Sequence, residues 1–297
     1  MPSIAVVLSC LRETSLNKLK DLITELLPVL ACDGSSLDVI LTEEIANSDD
    51  LDYKLGVLYS NIREVLLAEN LHETPVDILF NQRPQWLRER CWDIVINSGE
   101  LWTETRNLQY SELKIVNLSP SDCSRGCILG DSNLCSTTAD EEHYEVSALG
   151  GTFDHLHDGH KILLSVAVYL TSQKLIVGIT DRELLQNKKY AEFLESFEMR
   201  CQNVRKFVTR MKPTLQLDLV PLRDVCGPTG AVPEIQSLIV SRETESGGKF
   251  VNSVRKEKGL STLKIHAVNV LGGQEDDGWK EKISSTELRK RKKRTEE

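Results

Sequence analysis

Gly150-Gly151-Thr152-Phe153-Asp154-His155-Leu156-His157-Asp158-Gly159-His160 is the stretch from which the fold of this chain can be read. An apolar run over 146–149 leads into the two glycines. From Ile162 onward apolar residues recur at helical spacing through Leu163, Val166, Ala167 and Leu170. The pattern predicts a strand, a tight turn and a helix opening near Asp158. Glycines at the end of a parallel strand let main-chain N–H groups approach a ligand that a Cβ would hold off. The helix start adds unpaired N–H groups and the positive end of its dipole. His157 and His160 fall on one side of that entry, and Gly159 keeps the space between them open. Such a set of donors suits the phosphates of a nucleotide. Zinc would need an i, i+4 histidine pair or further Cys/His ligands close by, and neither is evident.

Working outward, residues 174–179, 215–220, 238–240 and 263–270 read as strands. Phe193, Phe197, Cys201, Val204, Phe207, Val208 and Met211 line one face of a long helix between the first two. The order predicts a doubly wound, Rossmann-like parallel sheet from residue 144 to 290, whose ligands sit at the carboxyl ends of its strands. Upstream, residues 1–118 alternate in the same way. Strands are expected at 3–8, 37–41, 76–80, 94–96 and 113–116, with helices at 15–27, stopped by Pro28, and at 53–68. This is a separate α/β domain with no phosphate loop, nucleophile elbow or metal motif, and its role is not written in its residues. Between the domains, 119–143 is rich in Ser, Asp, Thr, Cys and Gly and reads as a linker or long loop. Residues 291–297 form a basic then acidic tail.

Bulk properties narrow the function. At 297 residues the chain has room for two cores, and 40% hydrophobic with 27% charged residues is a globular balance. A net charge of −9 argues against general nucleic-acid binding. No stretch is long enough to span a bilayer, so no membrane role is expected. The apolar start 4–8 lacks a basic lead and reads as a strand, not a signal peptide. Eight scattered cysteines suit a reducing, cytoplasmic setting. Cys123, Cys127 and Cys135, with His143, match no familiar zinc spacing, so no metal ligands are assigned. The run Arg289-Lys290-Arg291-Lys292-Lys293-Arg294 reads as a solvated helix end, with a nuclear pool or docking role as the alternative.

A second motif completes the reading. Residues 283–289 are Ile-Ser-Ser-Thr-Glu-Leu-Arg, in which Ser284 and Glu287 have capping-box spacing. Three hydroxyls at a helix start, with Arg289 one turn in, suit the β- and γ-phosphates of a triphosphate.

The pair G-G-T-F-D-x-x-H-x-G-H and I-S-S-T-x-x-R resembles the nucleotidyltransferase superfamily with H-x-G-H signatures. Within it, residues 144–289 resemble the phosphopantetheine adenylyltransferases of eukaryotic, fungal type. The supporting features are Val177-Gly178-Ile179-Thr180-Asp181, Leu184-Leu185-x-x-Lys188, Pro221-Leu222, Gly227-Pro228-Thr229-Gly230 and Ser241-x-Glu243-Thr244 before Gly247-Gly248. The resemblance implies adenylyl transfer from ATP to 4′-phosphopantetheine, giving dephospho-CoA and pyrophosphate. It implies that His157 and His160 grip the ATP phosphates and stabilise the transition state, with Gly150, Gly151, Phe153 and Gly159 shaping the nucleotide site. Thr152 would hold the acceptor phosphate and Lys188 would bridge it to the α-phosphate. Ser284, Ser285 and Thr286 would take the leaving pyrophosphate, with Arg289 in support. Mg²⁺ would accompany ATP, bound mainly through phosphate oxygens and water. The N-terminal domain would contact other enzymes of coenzyme A synthesis or a second copy. The rival readings are nicotinamide-mononucleotide adenylyl transfer, cytidylyl transfer, and a decayed enzyme serving assembly. Two residues stay open at this level: Arg242, as a ligand contact, and Asp154, which either orients the histidines or stabilises a turn.

Overall fold

The computed structural model describes residues 1–98, 105, 108–120, 143–186, 188–269 and 284–296. Cys123, Cys127, Cys135 and most of the expected linker lie outside the described residues. The chain divides into two units, Met1–Asp50 with Val57–Ala139 and Leu51–Gly56 with Asp140–Glu297.

The first unit runs β1 (Ser3–Leu8), α1 (Leu16–Leu30), β2 (Ser36–Leu41), α2 (Ser48–Ala68), β3 (Val76–Leu79), α3 (Pro84–Arg88), β4 (Cys91–Ser98) and β5 (Gln109–Val116). The second runs β6 (Tyr144–Gly151), α4 (Asp158–Leu170), β7 (Thr171–Thr180), α5 (Phe197–Met211), β8 (Gln216–Leu222), β9 (Ser237–Ser241), α6 (Glu245–Glu257), β10 (Lys264–Val268) and α7 (Ser285–Glu296). Each sheet is five-stranded and parallel, in the orders β3-β2-β1-β4-β5 and β10-β9-β6-β7-β8. Counted from each unit's own first strand, the two orders are the same. The α/β class and the doubly wound parallel sheet expected from the sequence are what the chain adopts. In the second sheet the order reverses between β6 and β9, which puts the switch point at the end of the glycine strand.

Several boundaries differ from the sequence reading, each for a physical reason. Pro28 lies inside α1, in its last turn, where Leu30 is buried and Ala31 N–H closes on Leu27 O. α2 starts five residues early because Asn47 caps it, accepting from Asp50 N–H at 2.8 Å, and Asp49 and Asp50 complement the helix dipole. α5 begins at Phe197, capped by Ser196, while Phe193 belongs to a separate short turn. α3 and α6 were not legible. Gly247 and Gly248 sit within α6 against their helix propensity, and a Cβ on Gly248 would meet Ile265 Cδ1 at 3.1 Å. α4 is apolar nearly all round, from Ile162 to Leu170, and is buried beyond a single stripe. Beside it, Ala148, Ile176, Ile235, Leu238, Val251 and Leu263 form one hydrophobic cluster.

Candidate active site

The turn between β6 and α4 holds two non-glycine residues in the left-handed region, Phe153 (φ 51°) and His155 (φ 46°). Each costs about 1–3 kcal/mol, so the surrounding structure must impose the conformation. It does so through hydrogen bonds. His155 N–H donates to Glu195 Oε2 (2.7 Å), and Glu195 N–H donates to Asp154 Oδ1 (2.9 Å). His155 Nε2 lies 2.8 Å from Phe193 O. Arg200 Nη1 donates to Thr152 O (2.8 Å) and Thr180 O (2.9 Å), fastening the ends of β6 and β7 to α5.

His157 caps α4 and His160 follows in its first turn. Their rings stack with centroids 3.9 Å apart and planes 26° apart, and the buried Phe153 ring lies 5.3 Å from that of His160. Both Nδ1 atoms are buried with no partner among the described residues. A buried polar atom without a partner is expensive, and this stacked pair is a candidate place for a ligand. Burial holds the His157 pKa down to about 4 against the opposing pull of Asp158 and Asp154. Burial, then the charges of His157 and Lys188, hold His160 well below its ordinary value. Both rings are therefore neutral at pH 7, and each still has one N–H to donate. Lys188 is exposed in the loop after β7, and its charge acts on His160.

The late motif meets the early one here. Ser285 Oγ donates to Asp154 O at 2.8 Å. Ser284 caps α7, its Oγ accepting from Glu287 N–H at 3.3 Å, as the sequence spacing predicts. Thr286 Oγ1 accepts from Arg289 Nη2 at 3.1 Å. Ser284 and Thr286 act as acceptors in these contacts and keep an O–H to donate. Ser285 spends its own proton on the tie to Asp154. The first N–H groups of α7, at Ser285 and Thr286, are the kind a helix start leaves without intrahelical partners.

Arg289 is almost wholly enclosed. It pairs with the Asp154 carboxylate, donates from Nε to Lys189 O at 3.0 Å, and reaches Thr286. Among the described residues, Arg200, Arg255 and Arg289 are the largest fully buried side chains. Arg255, from α6, holds the Gly227–Gly230 turn by donating to Thr229 O (2.7 Å) and Val232 O (2.9 Å). Neither Arg200 nor Arg255 is apparent from motif reading. The usable signal is phase, since Arg200 stands in register with the buried Val204, Phe207, Val208 and Met211. Arg242 is exposed in the short turn after β9.

The glycines have a packing reason of their own. A Cβ on Gly150 would meet Leu222 Cδ1 at 2.9 Å, one on Gly178 would meet Leu222 Cδ2 at 2.5 Å, and one on Gly151 would meet Phe153 Cε2 at 3.1 Å. Gly227, at φ 46°, also faces Leu222. The described residues bring one set of potential metal ligands together, Asp154, His155 and Glu195. Its carboxylates are already engaged: Asp154 by Glu195 N–H and Arg289, Glu195 by His155 N–H and Asn203.

Known proteins resemble this chain over the second unit and beyond it. A model of the cytidylyltransferase-like family matches residues 148–291. The phosphopantetheine adenylyltransferase of Saccharomyces cerevisiae is 46% identical over 274 residues, 92% of this chain and 88% of that one. Proteins of the same name from Thermococcus kodakarensis and Methanopyrus kandleri are 32% identical over 146 residues and 37% identical over 142 residues. These matches cover 49% and 48% of this chain, and 85% and 86% of theirs.

Proposed function

This chain belongs to the phosphopantetheine adenylyltransferase family, and from that premise we propose how its residues divide the work of moving an adenylyl group. The enzyme transfers AMP from ATP to 4′-phosphopantetheine, giving dephospho-CoA and pyrophosphate. A phosphate oxygen of phosphopantetheine forms the new bond to the α-phosphorus while the bond from that phosphorus to the bridging oxygen breaks. Pyrophosphate carries away the electron pair. The nucleophile is ionised at neutral pH, so no side chain has to remove a proton from it. Positioning and charge stabilisation supply the catalysis.

In this reading His157 and His160, neutral until ATP binds, donate to its phosphates, and they do so more strongly as negative charge builds in the transition state. Gly150, Gly151, Phe153 and Gly159 shape the floor beneath them. Thr152 and Lys188 hold the acceptor phosphate, and the Lys188 ammonium draws it towards the α-phosphate. Ser284 and Thr286, with the N–H groups at the start of α7, receive the departing pyrophosphate. Mg²⁺ fits poorly on the candidate cluster that the described residues form, because its carboxylates are engaged. We place it on the phosphate oxygens of ATP as part of the co-substrate, with much of its hydration kept. Bound there it would offset phosphate charge.

The observation that supports this reading most directly is the tie between Ser285 and Asp154, which joins the hydroxyl turn to the histidine turn. The test is to incubate the purified protein with ATP and, separately, 4′-phosphopantetheine and nicotinamide mononucleotide, then to repeat with CTP. Dephospho-CoA and pyrophosphate are expected from ATP and phosphopantetheine. Pyrophosphate release with nicotinamide mononucleotide alone would overturn the assignment.

The first unit has the same strand order, yet its β1–α1 turn, 9–15, contains neither glycine nor histidine. The Leu11 N–H in that turn donates to Glu43 Oε1 at 3.0 Å, a carboxylate of the chain itself. We assign this unit to contacts with other enzymes of coenzyme A synthesis or with a second copy. Sedimentation of the full chain, alone and with those enzymes, tests the assignment, and a monomer that binds none of them would refute it. We assign the enzyme to the cytoplasm, with the basic run of α7 as the feature that would support a nuclear pool. Among the described residues no helix is long and apolar enough to cross a membrane.

A further inference from the structure

Asp154 is the residue on which the segments of the site converge. Its Oδ1 accepts from Glu195 N–H, its Oδ2 pairs with Arg289, and its main-chain oxygen accepts from Ser285. Its side chain has no exposure at all, and that of Arg289 has 2%. The guanidinium then reaches two more parts of the site, Lys189 O beside Lys188 and Thr286 Oγ1 in the hydroxyl turn. One buried ion pair therefore joins the histidine turn, the lysine loop and the start of α7. Swinging Arg289 away from Asp154 towards a polyphosphate would leave that fully buried carboxylate without its cation.

We propose that Asp154 and Arg289 form a positioning pair. Arg289 acts on the reaction through Asp154, Thr286 and the Lys188–Lys189 loop, and touches no phosphate itself. The pair sets the distance between the two histidines and the donors that receive the leaving group. Arg200 reinforces it from the other side, since it holds Thr152 O, two residues before Asp154. The inference rests on the adenylyl-transfer reading. Wild-type turnover with phosphopantetheine tests that reading alone, whereas the variants below are judged only against wild type.

The experiment is a double-mutant cycle of Asp154→Asn and Arg289→Gln, with kcat and the KM for ATP measured at saturating phosphopantetheine. Each single variant is expected to lower kcat by up to about a hundredfold, the scale of a small misplacement, with the KM for ATP nearly unchanged. The double variant should be no slower than the slower single, because both remove the same link. Arg289→Lys keeps a cation on Asp154 but cannot also span Lys189 O and Thr286, so it should recover part of the lost kcat. If Arg289→Gln does not fold, Arg289→Lys is judged by the same split between kcat and KM. A KM for ATP that rises by more than kcat falls, or losses that multiply in the double variant, would mean direct phosphate contact and overturn the proposal. A lowered melting temperature with kcat intact would overturn it as well, by reducing the pair to a fixture of the fold.

Discussion

The hydroxyl of Ser285 donates to the main-chain oxygen of Asp154 across 2.8 Å, although 131 positions separate them. A strand-end turn and a helix start from opposite ends of the second unit are thereby held as one surface. Ser285→Ala removes this bond without disturbing the Ser284 cap. One net hydrogen bond is worth about 0.5–1.5 kcal/mol, so steady-state turnover should fall by roughly threefold to tenfold. Full activity in that variant would show that the two motifs are held together by other contacts.

His160 and Lys188 should weigh more. Removing a donor aimed at developing charge costs about two to three orders of magnitude in kcat. His160→Ala and Lys188→Ala are each expected in that range in a pyrophosphate-release assay. Near-normal turnover in either would make that residue scaffolding.

The depressed histidine pKa values make folding sensitive to acid. His157 titrates near 4 in the folded chain against 6.5 in a free histidine, so between those values the unfolded chain holds more protons. Stability is then full above the unfolded pKa and is lost as pH falls towards 4. His160 acts in the same direction. A His157→Asn/His160→Asn variant should show a flatter fall of melting temperature on the acid side. An unchanged slope would assign that limb to other groups.

The same two rings predict proton uptake on binding. A polyphosphate stacked against neutral imidazoles raises their pKa, so ATP should bind with protons taken from solution near pH about 6. Calorimetry in two buffers of different ionisation enthalpy reads this directly. Identical heats in both buffers would mean that the rings stay neutral in the complex.

Leu222 lies against Gly150, Gly178 and Gly227, so Gly178→Ala forces it to move. Overpacking of this kind costs about 1–3 kcal/mol. Leu222→Ala in the same chain should return most of that loss. Denaturant midpoints for the single and double variants decide the matter, and a double variant weaker than either single would show the clash to lie elsewhere.

Much of this was readable before any coordinates. The Gly-Gly strand end and the paired histidines located β6 and α4, because tight turns and helix starts leave local chemical marks. Alternation of apolar runs marks the second unit's parallel sheet and the α/β class of the first, whose strand directions come only with the structure. What stayed hidden depends on tertiary context. Arg200 and Arg255 look like solvated helix residues until one sees them filling carbonyl-lined interior space. α6 violates propensity at Gly247-Gly248, and close approach to Ile265 accounts for Gly248. Asp154 could be read as a turn former or as an orienting group. Its ion pair depends on a partner 135 positions away, and local pattern does not register that.

Arg200 also bears on how the site of this acidic chain withstands salt. With a net charge of −9, the outer surface as a whole repels ATP. The guanidinium that grips Thr152 O lies inside, where mobile ions barely penetrate. Added sodium chloride should therefore weaken the pull of the exposed Lys188 while leaving the Arg200 bonds that hold the turn almost intact. The enzyme would keep the shape of its site across ionic strengths that dissolve ordinary surface attraction.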